Sequence, residues 1–148
     1  MSEDEWVWND PQIPDDEVLF RRVPTKPSHA TFDALRGLWV PHAGAFQRDA
    51  GEGMSVHLDG TLEARGRARH TLYDPERYGA VRFPVAVVRA ANAGVLPTTP
   101  TVEEEPDEDL RAAHAEARPP DAKKDKPFWS KVRNEMIQAS VWVEQRAS

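Results

Sequence analysis

Thirteen prolines, at positions 11, 14, 24, 27, 41, 75, 84, 97, 100, 106, 119, 120 and 127, divide a chain of 148 residues into short segments. Proline lacks a backbone N–H, and its ring clashes with the preceding helical turn. Little room for long helices is left before position 100. Three stretches read as linkers: the acidic head 1–16, Pro97 to Asp109 (PTTPTVEEEPDED), and Arg118 to Pro127 (RPPDAKKDKP). Dense charge with low hydrophobicity buries too little apolar surface to offset the entropy of ordering. The length suits one domain. The organisation expected is a flexible acidic segment over 1–16 and a single domain over 17–148, with charged loops at 97–109 and 118–127.

Charge narrows the function classes. The chain holds 19 basic and 25 acidic side chains, a formal charge of −6. Residues 1–20 carry seven acids and no base, 21–100 eleven bases and seven acids, and 101–148 eight bases and eleven acids. A mildly basic middle therefore lies between acidic ends. There is no cysteine, which removes disulfides, thiolate metal sites and cysteine nucleophiles. The longest strongly apolar run, Phe83 to Val88, is far short of the ~20 residues of a membrane helix. The acidic first residues read as neither a secretory signal nor a transit peptide. The expectation is a cytoplasmic protein that does not contact membrane.

Pattern gives the elements. Val18 to Val23 (VLFRRV) reads as a strand, as does the alternating Met54 to Leu58 (MSVHL). Phe32, Leu35 and Leu38 at three-residue spacing after Ser28 predict a short helix over 28–38. A second short helix is predicted over Thr61 to Arg69, weakened by Gly66. Ala80 to Val88 reads as the best core strand, with Pro84 marking an edge or a bulge. Glu105 to Arg118 is predicted as a helix with Pro106 at its first position and acids in its first turn. The last helix runs from Pro127 to about Ser140, and Ser140 to Glu144 alternates as a strand would. Strands first and the best helices last give an α+β class: a small single-domain mixed sheet, two C-terminal helices and flexible acidic termini.

The motifs of the chain exclude more chemistry than they offer. Gly51-Glu-Gly-Met-Ser55 lacks the lysine of a phosphate-binding loop. Gly53-Met-Ser55-Val-His57 lacks the last glycine of a nucleophile elbow. The histidines at 29, 42, 57, 70 and 114 show no paired spacing that would bring two imidazoles to one face, so no metal site is expected. Two strand positions stand out. Alternation sends one of Arg21 and Arg22 toward the core side, where a permanent charge needs an acidic partner or a cleft to line. Ser55 and His57 share a face of their strand, opposite Val56 and Leu58. Arg65, Arg67 and Arg69 form the densest positive spot, suited to phosphate, nucleic acid or the chain's own acidic head. Trp6 and Trp8 sit among four acids, Glu3, Asp4, Glu5 and Asp10, and tryptophan is enriched where partners meet.

The arrangement Pro14-Asp-Asp-Glu-Val-Leu-Phe-Arg-Arg-Val23, Ser28 with Phe32, Met54-Ser-Val56, and Tyr78-Gly79 before an apolar strand ending in Val88-Arg89 resembles a group of small uncharacterised bacterial proteins. The resemblance spans roughly residues 14–117 and implies no activity. Leu19-Phe-Arg21 and Ser55-Val-His57-Leu58 are also similar in order to strand elements of ADP-ribosyltransferase-like folds, which implies NAD as a substrate. The function expected is a non-catalytic protein-binding or accessory subunit without a cofactor, its binding residues Trp6, Trp8, Arg65, Arg67 and Arg69. The alternatives are an NAD-using enzyme, with Arg21, Arg22, Ser55 and His57 as its site, and a nucleic-acid-binding protein working through 65–69.

Overall fold

The computed structural model describes residues 7–24, 30–35, 38–41, 46, 53–68, 72–73, 78–121 and 126–144. Its centre is a six-stranded sheet, antiparallel throughout, in the order β6-β7-β4-β1-β5-β8. The strands are β1 (Val18–Pro24), β4 (Met54–Leu58), β5 (Tyr78–Pro84), β6 (Gly94–Pro97), β7 (His114–Arg118) and β8 (Val141–Glu144). A separate two-stranded sheet pairs β2 (Ala30–Asp33) with β3 (Leu38–Pro41). Helices α1 (Asp59–Ala64), α2 (Val85–Ala90), α3 (Glu108–Ala113) and α4 (Lys126–Ala139) complete an α+β fold. No helix among the described residues is long and apolar enough to cross a membrane.

The period-two alternation of the strands splits the core in two. Leu19, Val23, Val56, Val81, Ala115 and Ala117 face one side, where they meet Val85 and Val88 of α2 and Trp129, Val132 and Met136 of α4. Phe20 and Ala80 face the other, beneath Leu62 of α1 and Leu110 and Ala113 of α3. Phe46 is fully buried on the first side, against the Phe83 ring, and its carbonyl accepts the Trp129 indole N–H at 2.8 Å.

Both described helices before position 100 are six residues long. Gly66 does not weaken α1 but ends it. At φ 70° its N–H donates to Glu63 O, while Arg67 N–H donates to Leu62 O. This is the Schellman stop that a glycine allows without a Cβ penalty. Asn92, at φ 68°, closes α2 in the same way, with Ala93 N–H reaching back to Val88 O.

Three predicted elements are corrected. The helix over 28–38 is a β-hairpin in its described part. Leu35, needed for the apolar helical stripe, lies in the turn and is 99% exposed. The strand over 80–88 stops at Pro84, and Val85 to Val88 are helical. Proline cannot donate to the ladder but suits the residue before a helix, so one apolar run serves two elements. The helix over 105–118 holds only for α3; the chain then enters β7, an inner strand. Ala115 and Ala117 are fully buried while His114, Glu116 and Arg118 face the other way. Burial of an alternating face outweighed the helix propensity of alanine. The end of the chain agrees with the pattern, α4 followed by β8.

The acidic head is docked over its described part. Asp10 N–H donates to Val95 O at 2.8 Å, and Asn9 Oδ1 accepts from Val95 N–H at 3.2 Å, so the segment covers the outer edge of β6. Ile13 joins the core, and Arg89 grips the segment through Asn9, Asp10 and Asp15. A Cβ on Gly94 would collide with Asn9 Cβ and with Trp8. Gly94→Ala is therefore expected to cost about 1–3 kcal/mol and to speed amide exchange at Asp10 and Val95. An unchanged denaturation midpoint with unchanged protection at Asp10 would contradict this docking.

Candidate functional site

Helices α1 and α3 leave part of their sheet face open. Over that part, β1, β4 and β7 present Arg22, Ser55, His114 and Glu116. The chain after β6 supplies Thr98, Thr99, Glu104 and Glu105 as the opposite wall. Together they line a cleft of about 260 Å³.

Each wall is held by hydrogen bonds. His114 Nδ1 shares a 2.6 Å bond with Thr98 Oγ1, and Thr98 N–H donates to His114 O at 3.1 Å. On the other ring nitrogen, Nε2 lies 3.2 Å from Ser55 Oγ. Glu116 Oε1 accepts from Gly53 N–H at 3.0 Å and from Arg118 Nε at 2.9 Å. Glu104 and Thr101 cap one another, the Glu104 carboxylate taking Thr101 N–H at 2.9 Å. That backbone bond holds the Glu104 carboxyl below its usual range.

Arg22 is the arginine that alternation turns toward this face. Its guanidinium lies 5.4 Å from the ring centroids of Tyr73 and Tyr78 and 3.5 Å from Glu105. Glu105, almost fully buried, belongs to the acidic stretch 97–109, so a linker carboxylate meets the charge on the strand. Arg21 lies on the opposite side with Leu19 and Val23, and donates to Ser55 O at 2.7 Å. The two arginines do not share the cleft.

His57 lies next to the cleft and is 2% exposed. Its Nδ1 shares a 2.7 Å bond with Tyr73 Oη, while Nε2 has no partner among the described residues. The His114 ring stands edge-on to it, 5.8 Å away. Burial, and then the nearby charges of Arg22 and His114, lower the His57 pKa to about 3. Burial likewise lowers His114 and raises the Tyr73 phenol. Both imidazoles are thus neutral and both hydroxyl partners protonated near neutral pH.

The remaining candidates lie elsewhere. Arg65 pairs with Asp109 at 2.7 Å and Glu108 at 3.3 Å, and Arg67 with Asp107 at 2.7 Å and Asp109 at 3.3 Å. Asp107 also caps α3 through Asp109 and Leu110 N–H groups. Of the positive spot, Arg65 and Arg67 are therefore paired with acids at the start of α3. Trp8 packs on Gly94, half-buried. Trp6 and Arg69 lie outside the described residues. No group of three or more His, Asp or Glu among the described residues is placed to hold a metal.

Tyr73, Thr98, Glu105, His114 and Glu116 belong to no recognised catalytic motif. A signal existed for two of them: His114-Ala-Glu116-Ala-Arg118 alternates polar residues with alanine, and strand periodicity puts His114 and Glu116 on one face. Compared with known protein families, curated proteins and solved structures, the chain matches none.

The buried histidine contributes to the acid response. Unfolded, its imidazole binds a proton near pH 6.5; folded, only near 3. Between these values the unfolded state holds more protons, so stability falls as pH falls through this window. Urea midpoints should drop steadily from pH 6.5 to 4, and the double variant His57→Leu/Tyr73→Phe should flatten that dependence. Equal slopes for both proteins would contradict the buried neutral state.

Proposed function

We propose that this chain is an accessory binding subunit, and that its recognition site is the cleft over β1, β4 and β7. The carrying observation is the convergence of Arg22, Ser55, Thr98, His114 and Glu116 from three strands and one loop on a single small cavity. At about 260 Å³ it falls just below the roughly 300–1,000 Å³ of ordinary small-ligand pockets. That size suits one polar side chain of a protein partner. The hydroxyls and imidazole would accept and donate hydrogen bonds, while Glu104 and Glu105 disfavour an anionic group.

The same features weigh against the alternatives. A dinucleotide such as NAD exceeds the cleft, and Arg21 and His57 do not line it. The ion pairs of Arg65 and Arg67 leave less charge for nucleic-acid phosphates, and the chain as a whole is acidic. Neither Trp8, packed on β6, nor the paired arginines remain the first choice as docking residues.

A photo-crosslinking residue placed at Thr99, on the cleft wall, should capture one discrete partner in cells. The same residue at Glu63, on the exposed side of α1, should not. Ser55→Leu, which fills the cleft, should abolish the Thr99 product. Identical products from both positions, or a product that survives Ser55→Leu, would refute the reading.

A further inference from the structure

The cleft holds an arrangement that recognition alone does not require. Ser55 Oγ lies 3.2 Å from His114 Nε2, and the opposite nitrogen of that imidazole is 2.6 Å from Thr98 Oγ1. A hydroxyl, a base and a group that orients the base thus stand in line within one cavity. Thr98 is itself fixed to β7 by its N–H bond to the His114 carbonyl. The pairing Phe20↔His57, carried two residues further along the antiparallel strands, sets Arg22 beside Ser55.

We propose that Ser55 is a nucleophile, activated by His114, toward small uncharged acyl esters. This rests on the cleft being a ligand site and goes beyond binding. The reactive tautomer carries its proton on His114 Nδ1, donated to Thr98 Oγ1, and turns the Nε2 lone pair to Ser55. In the step, Ser55 Oγ bonds to the acyl carbon while its proton passes to Nε2. The bond from that carbon to the leaving oxygen then breaks, and the leaving alcohol takes the proton from Nε2. Water resolves the acyl-serine by the same route: its oxygen bonds to the acyl carbon as its proton passes to Nε2, the bond from that carbon to Ser55 Oγ then breaks, the carboxylic acid leaves, and Oγ takes the proton from Nε2. The Arg22 guanidinium, lining the same cavity, is the cation available to the transient oxyanion. The small, carboxylate-lined cavity selects an acyl group of acetyl size without negative charge.

The charged and titratable groups around His114 are Glu116, Arg22, Glu105, Glu104 and His57. With the imidazole neutral, reaction proceeds near neutral pH and slows as His114 takes up a proton. A phosphonofluoridate probe tests this on the full chain, because it bonds to an activated serine oxygen with loss of fluoride. The expected result is one adduct, mapped to Ser55 by mass spectrometry and absent in Ser55→Ala. His114→Gln should slow labelling about 100-fold with the circular dichroism unchanged, and the wild-type rate should fall toward acid pH. If His114→Gln does not fold, Thr98→Val, which frees the imidazole to rotate, supplies the same comparison. No adduct, an adduct elsewhere, or a wild-type rate in the folded base variant would overturn the proposal. Loss of labelling with the Thr99 crosslink intact would leave the cleft a recognition site only.

Discussion

The polar side of this sheet depends on one constraint: the His57 imidazole is shut away from water beside the guanidinium of Arg22. A charged imidazole there would meet both desolvation and a like charge, so the folded state holds it neutral. The neutral ring bonds Tyr73, and His114 stands against its edge. His114 in turn ties β7 to Thr98 and so fixes the wall of the cleft. Arg22 completes the set by lying against two tyrosine rings and reaching Glu105. The cleft is thus the outer layer of a buried polar network, and such networks are rigid only while every member keeps its charge state.

The chain uses much of its charge on itself. The acids opening α3 hold Arg65 and Arg67, and the head holds Arg89. The head also covers the edge of β6, where unpaired backbone groups would otherwise invite another strand. Composition alone suggested loose acidic ends around a basic middle. The fold joins these regions locally, so each carries less net charge than its sequence. Exposed ion pairs contribute little to stability; their larger effect here is on what the surface offers to partners.

The legible parts of the fold were those where pattern and propensity agree. Val18 to Val23 and Met54 to Leu58 alternate with β-branched residues and are strands; the apolar face of α4 marks a helix. The illegible parts were those where the two conflict. Alanine in β7 favours a helix locally, yet its burial between β4 and β6 makes it strand. Pro84 divides an apolar run that periodicity joins. The site followed the same rule. Arg22, Ser55 and His57 were visible because they interrupt apolar strands. The approach of His114 and Thr98 to Ser55 was not, because it runs through the pairing of β4 with β7 and of β7 with β6, contacts of long sequence separation that no local motif encodes.

The most direct measurement of this account is the protonation of the histidine rings, followed by nitrogen-15 NMR from pH 7 down to the acid limit of the fold. The network described here requires His57 to stay neutral until about pH 3 and His114 to titrate below its ordinary value, with one nitrogen of each ring shielded by its hydroxyl partner. If His57 takes up its proton near pH 6.5 while the protein remains folded, the ring is solvated, and both the buried network and the cleft built on it are contradicted.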